Sequence, residues 1–306
     1  MKPTEEALTI DVVGRRLVGV LHRPGSTAVE TGLVVVVGGP QYRVGSHRQF
    51  TLLSRALCED EIPVLRFDYT GMGDSDGAAI SFEAAGEDIR AAVDTLFERC
   101  PSLVDVHLWG LCDGASAALM YAPSDARVTG LVLLNPWVRT TEGQAQAYIE
   151  NYYGRRLRSG RVWRKIAGNP VALFRAALGF VRNVVVSRGV APKAASAGPE
   201  ARGFLASMLR GAEDFKGGVL VLLSGMDLVA TEFELLLAKS PRWKRAFERA
   251  GVRTERLPAA NHTFSRREWS DWVAAQTSGF VSGQGGPVTH ANCDSVGGPK
   301  APPMRD

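Results

Sequence analysis

The sequence is poor in cysteine, in histidine and in long apolar runs. Four cysteines, Cys58, Cys100, Cys112 and Cys293, are scattered over 306 residues, and no two stand in a Cys-x-x-Cys pair. That scarcity and spacing exclude a disulfide framework and a cysteine-built zinc site, and they predict reduced thiols in the cytoplasm. The longest purely apolar runs, such as Leu33–Val37, are strand-sized, far below the ~20 residues that cross a bilayer. Met1 is followed by "KPTEEALTID", which has no apolar core, so no signal peptide is expected. Internal repeats are absent, and so is any motif of a nucleic-acid-binding fold. With five histidines in the chain, a catalytic base has few candidates.

What is present is the composition of a globular chain: 45% hydrophobic and 22% charged, enough to bury one large core. Charge is unevenly spread. Residues Arg139–Arg210 hold thirteen Arg/Lys against three Glu, about +10, so a chain of net charge +4 carries about −6 elsewhere. A basic segment on a mildly acidic body reads first as an arginine-rich solvated surface. It would also attract an anionic substrate or an anionic membrane surface.

Strand-like and helix-like stretches alternate. "ALTIDVV" and "RLVGVLHRP" predict an opening antiparallel hairpin, and "GLVVVVGG" a strand buried on both faces. "SHRQFTLLSRALCED" places Phe50, Leu53 and Leu57 on one helical face. "IPVLRFDYTG", "LVDVHLWG", "VTGLVLLNP", "GGVLVLLSGMD" and "RTERLPA" predict further strands, with helices over "SFEAAGEDIRAAVDTLFERC" and "SRREWSDWVAAQT". The last of these opens with Ser265 and Glu268 at capping-box spacing. Such alternation means a mostly parallel sheet with helices on both faces. The interval from Val138 to Lys216 is too long for a simple crossover. Within it Val171, Phe174, Leu178, Val181 and Val185 share a helical face, with Arg175 and Arg182 between them. We expect a domain over residues 1–278 with a helical lid inserted at about 139–215. The Gly/Pro/Ser-rich stretch 279–306 is expected to be a disordered tail.

The chemistry gathers around "LWGLCDGAS", Leu108–Ser116. A strand runs into Gly110-x-Cys112-x-Gly114 and then into a small-residue helix. This is the pattern of a nucleophile elbow, whose sharp turn lifts the central side chain above the sheet at a helix N-terminus. A base and an orienting acid should follow in chain order, acid first. Of the histidines, His22 lies in the hairpin, His47 at the first helix, His107 inside the strand before the elbow and His290 in the tail. His262, in "AANHTFS", follows the last strand, where a base belongs. The strand "LVLLNP" ends in Asn135, which carries no charge, whereas "VLVLLSGMD" ends in Asp227. Asp227 is therefore the candidate acid, and it also stands where it could cap the helix over "TEFELLLA". An oxyanion hole needs two N–H donors. One is expected from Asp113, after the nucleophile. The other is expected from the loop "GGPQYRVGSHR", where Pro40 has no N–H, leaving Gly39 first and Gln41 second. "FDYTGMGDSDG", Phe67–Gly77, lacks the Lys-Ser/Thr end of a phosphate loop and the spacing of an EF-hand, and is read as the loop beneath the site.

In order and spacing, "GGPQYR", "RFDYTGMGDSDG", "GLCDGAS", "SGMD" and "NHTFS" resemble the α/β-hydrolase superfamily, and more narrowly the type 1 exosortase A system-associated hydrolases. The likeness covers roughly residues 5–277. It implies the α/β-hydrolase fold and a bacterial cytoplasmic enzyme encoded near exosortase and exopolysaccharide genes. Two departures from the wider superfamily stand out: the nucleophile is Cys rather than Ser, and Val37 stands where a His often precedes the oxyanion glycine.

A thiol at a helix N-terminus beside a histidine ionises more readily than a free one. The expected activity is hydrolysis of an ester or thioester through Cys112, His262 and Asp227 by way of a covalent acyl-enzyme. Acyl transfer to a saccharide, lipid or carrier-bound acceptor is the first alternative, and a non-catalytic binding protein on a hydrolase scaffold the second. No metal or organic cofactor is implied. The expected partner is a small-molecule or a lipid- or saccharide-linked acyl substrate rather than nucleic acid, with peripheral contact to an anionic membrane through the basic lid a further expectation.

Overall fold

A computed structural model describes residues 3–26, 29–38, 41–138 and 199–283. The chain opens with the antiparallel hairpin β1 (Thr4–Val12) and β2 (Arg15–Arg23). The remaining strands are β3 (Thr31–Val36), β4 (Val64–Phe67), β5 (Asp105–Leu111), β6 (Val128–Leu134), β7 (Gly218–Ser224) and β8 (Val252–Leu257). Together they form one eight-stranded sheet in the order β1-β2-β4-β3-β5-β6-β7-β8. β2 pairs with β4 antiparallel, and β3 through β8 run parallel.

The continuous apolar run of β3 follows from this placement. Leu33, Val35 and Val37 pack into one face of the sheet while Val34 and Val36 pack into the other, so both faces need apolar residues. α1 (Gln49–Glu59) and α7 (Arg267–Val281) cover the first face. Phe50, Leu53 and Leu57 enter the core there with Trp109 and Val273, each fully buried apolar side chain contributing about 1.5–3 kcal/mol. The second face is covered by α2 (Gly86–Arg99), α3 (Asp113–Tyr121), α4 (Pro199–Asp214), α5 (Leu228–Lys239) and α6 (Pro241–Glu248).

Three expectations change. Residues 199–214, predicted as the end of the lid, form α4, whose Phe204, Met208 and Ala212 lie in the core against α3. The lid helix over Val171–Val185 lies outside the described residues. The closing helix runs to Val281, past the predicted boundary at 278, because Val281 is itself buried. The capping box of that helix does not form: the N-cap is Arg266, without a side-chain bond. Ser265 is instead held by Asn261, whose Nδ2 donates to Ser265 Oγ at 2.8 Å and whose Oδ1 accepts from Ser265 N at 3.1 Å. The sequence reading also passed over α6, although Pro241 at its first turn and the buried pair Trp243 and Phe247 mark it.

Strand order reverses beside β3, with β4 on one side and β5 on the other. The carboxyl ends of β3 and β5 therefore open a crevice, the place where open α/β sheets hold ligands. Among the described residues, no helix is long and apolar enough to cross a membrane.

Candidate active site

Cys112 follows β5 directly and is the N-cap of α3. Its backbone has φ 61° and ψ −125°, a combination that costs a non-glycine residue of order 1–3 kcal/mol and persists only where its surroundings enforce it. The enforcement is visible in three glycines. A Cβ on Gly110 would lie 2.5 Å from the Ala115 nitrogen, one on Gly114 would overlap the Val36 carbonyl, and one on Gly38 would lie 2.5 Å from the Gly114 nitrogen. The end of β3 thus presses directly on the first turn of α3. Backbone bonds complete the turn: Cys112 N donates to Leu134 O at 2.9 Å, and Trp137 N donates to Cys112 O at 3.1 Å. Ser116 Oγ donates to Trp137 O at 2.8 Å, tying the loop after β6 to the nucleophile helix.

Asp227 and His262 are brought together although 35 residues separate them: His262 Nδ1 lies 2.8 Å from Asp227 Oδ2. Asp227 is buried, and the His262 side chain is 31% exposed. Asp227 is also the N-cap of α5, with Oδ2 accepting from Ala230 N at 3.2 Å. Both roles weighed for it therefore fall on one oxygen. An Nδ1–H donated to this carboxylate leaves Nε2 as the free proton acceptor of the ring. The loops that carry Asp227 and His262 are joined through the backbone, Gly225 N donating to Leu257 O and Met226 N to Ala260 O, each at 2.9 Å.

Of the expected oxyanion donors, Asp113 begins α3, where N–H groups and the helix dipole favour negative charge. Its side chain turns back, Oδ1 accepting from Gly114 N at 3.1 Å. Gly39 lies outside the described residues. Gln41 points its side chain toward α1, Oε1 accepting from Ser46 N at 3.3 Å and from Gln49 Nε2 at 3.4 Å.

The acidic Phe67–Gly77 loop anchors Arg43, two residues after Gln41. Asp68 is fully buried and accepts from Arg43 N and from the Arg43 guanidinium, while Asp74 pairs with the same guanidinium at 2.7 Å. Arg66, also buried, donates to Arg43 O at 3.1 Å and to His22 Nε2 at 2.9 Å. His22 thus serves this network, its pKa lowered by burial and by Arg66 to about 4. His107, inside β5, is held beside Phe280, with its pKa lowered by burial to about 4. His47 is exposed, and His290 lies outside the described residues. Among the described residues no group of three or more His, Cys, Asp or Glu could hold a metal ion.

The family model described as "Alpha/beta hydrolase family" matches residues 33–276. The chain belongs to the alpha/beta hydrolase family. Solved structures agree with the fold of this hydrolase. The Pyrococcus furiosus esterase Pf2001 superposes with TM-score 0.61 at 16% identity, covering 91% of this chain and 90% of that one. A thermostable carboxyl esterase from Bacillus coagulans gives TM-score 0.60 at 16% identity over 92% and 98% of the two chains. Est1E from Butyrivibrio proteoclasticus, with ferulic acid bound, gives TM-score 0.59 at 16% identity over 91% and 99%. No curated protein matches the chain.

Three residues that pack against or bond to these loops escape the sequence reading of this hydrolase. Gly38 is one, and its only signal was its place one residue before the favoured donor. Arg43 is the second, unmarked by any local pattern. The third, Asn135, carries no charge to mark it.

Proposed function

We propose that this hydrolase cleaves a carboxylic ester or thioester through a covalent acyl-enzyme on Cys112. The observations that support the reading are a strained cysteine at the strand-to-helix elbow and a histidine held at 2.8 Å by a buried carboxylate. His262 Nε2 takes the thiol proton, and the thiolate sulfur attacks the acyl carbon. The carbonyl π electrons move onto oxygen, where the N–H groups of Asp113 and of Gly39 or Gln41 hold the charge. Collapse of this intermediate breaks the bond to the alcohol or thiol, which leaves with the proton from His262. Water then attacks the thioester with His262 as base, releasing the acid and restoring the thiol. Asp227 keeps the ring oriented and stabilises its positive charge throughout.

The motifs around Gly39, Cys112, Asp227 and His262 support placing the enzyme with the exosortase-associated hydrolases, where its substrate would be an acylated saccharide or lipid intermediate. A reducing cytoplasm suits a thiol nucleophile.

The test is intact-mass spectrometry after mixing the protein with p-nitrophenyl esters and acyl thioesters, followed by peptide mapping. The expected result is one acyl adduct on Cys112 that water discharges to the free acid, absent in Cys112→Ala. An adduct that persists in Cys112→Ala refutes the nucleophile. Discharge only when an amine or hydroxyl acceptor is supplied makes the enzyme an acyltransferase.

A further inference from the structure

Asn135 directly follows the last residue of β6, Leu134. Its predecessor Leu134 accepts the backbone bond from Cys112 N at 2.9 Å. Its own Nδ2 donates to the backbone carbonyl of His262 at 3.0 Å, across 127 residues of chain. The same Nδ2 donates to Ser224 Oγ at 2.9 Å, and Oδ1 accepts from Ser224 N at 2.9 Å. The side chain is fully buried, so both protons and the carbonyl oxygen are committed inside the protein. Its backbone is also unusual. Asn135 has φ 42°, a left-handed conformation that asparagine tolerates better than other residues with a Cβ, and its N–H donates to Leu222 O at 3.1 Å.

We infer that Asn135 is a positioning residue for the base: its Nδ2 bond to the His262 carbonyl sets the height of the imidazole above Cys112. The inference rests on the reading of Cys112 and His262 as nucleophile and base. Asp227 holds the ring of His262 at Nδ1, which fixes a direction, while the backbone bond from Met226 reaches its loop only at Ala260, two residues earlier, and leaves the His262 peptide room to pivot. A second attachment at the backbone of the same residue removes the pivot. It comes from a strand end whose preceding residue already holds the nucleophile, so one short piece of β6 gauges both. Ser224 forms the other half of the frame: its N–H and Oγ lock the amide plane, which settles which side-chain atom faces His262.

Asn135→Asp isolates the bond. The aspartate keeps an oxygen for Ser224 N, and the Ser224 hydroxyl can turn to donate, but a second oxygen now faces the His262 carbonyl in place of a donor. With the loop released by about an ångström, kcat on the preferred ester should fall about 10- to 100-fold while KM stays within threefold. Alkylation of Cys112 by iodoacetamide, followed by peptide mapping, should slow about tenfold at pH 6 and recover at alkaline pH, since a thiol parted from its imidazole needs higher pH to ionise. A purely structural asparagine would leave that alkylation profile unchanged. If Asn135→Asp proves too unstable to assay, Asn135→Gly, which suits the positive φ, removes the same bond and should show the same two effects.

A wild-type kcat and a wild-type alkylation profile in a folded variant overturn the inference. Parallel Cys112→Ala and His262→Ala variants separate its failure from that of the underlying reading. If either keeps wild-type activity, the triad itself is wrong. If both are inactive while the folded Asn135 variant behaves as wild type, the triad stands and only the positioning role falls.

Discussion

Asp227 carries two bonds on one oxygen, and substitution can separate them. Oδ2 accepts the Ala230 N–H that caps α5 and, at 2.8 Å, the Nδ1–H of His262. Asparagine retains an oxygen and caps a helix about as well as aspartate, so Asp227→Asn should keep the cap and lose only the charge. With charge centres ~4 Å apart and an effective dielectric of ~20, the attraction between the carboxylate and an imidazolium is about 4 kcal/mol. The His262 ring is 31% exposed, and solvent screening lowers this toward about 3 kcal/mol. Spent in the transition state, that is a loss of 10²- to 10³-fold in kcat, to order of magnitude. Asp227→Ala should lose the same activity and the cap as well, costing about 1 kcal/mol more in stability and lowering Tm by roughly 2–4 °C. The assay is kcat on the ester that acylates Cys112, beside urea midpoints for both variants. An Asp227→Asn enzyme within threefold of wild type refutes the electrostatic role, and equal stability of the two variants refutes the cap.

Acid should destabilise the fold through two histidines outside the site. Burial lowers the pKa of His22 and of His107 to about 4, against about 6.5 in the unfolded chain. Between those values the unfolded state binds protons that the native state refuses, so stability falls as pH drops from about 6.5 to 4, by about 3 kcal/mol for each histidine. Protonating His22 also removes the acceptor of the Arg66 bond. A Tm unchanged between pH 7 and pH 4.5 would contradict this. At the elbow, Gly114→Ala drives a methyl group into the Val36 carbonyl and should cost about 1–3 kcal/mol, read from urea midpoints. A variant as stable as wild type would show that β3 and α3 do not press together.

The sheet was legible because its strands are punctuated apolar runs, and a strand buried on both faces needs nothing beyond its own residues to be recognised. Cys112, Asp227 and His262 stand out as candidates for a related reason, since each ends a strand or follows one, and the structure brings Asp227 and His262 to 2.8 Å. The capping box failed on a local competition: Asn261, four residues earlier, holds Ser265 at both its nitrogen and its hydroxyl. Asn135, Gly38 and Arg43 failed on distance. Arg43 acts on Asp68 across 25 residues, and Asn135 reaches Ser224 and His262 across 89 and 127. No pattern along the chain records such meetings. A search for charge at strand ends finds Asp227 and rejects Asn135, yet the ends of β6 and β7 divide one task. β7 supplies the carboxylate that orients the imidazole of His262, and β6 supplies the amide that holds its backbone. A neutral residue at the end of a strand beside the acid is therefore a candidate to hold the base, and its amide protons can be as informative as a charge.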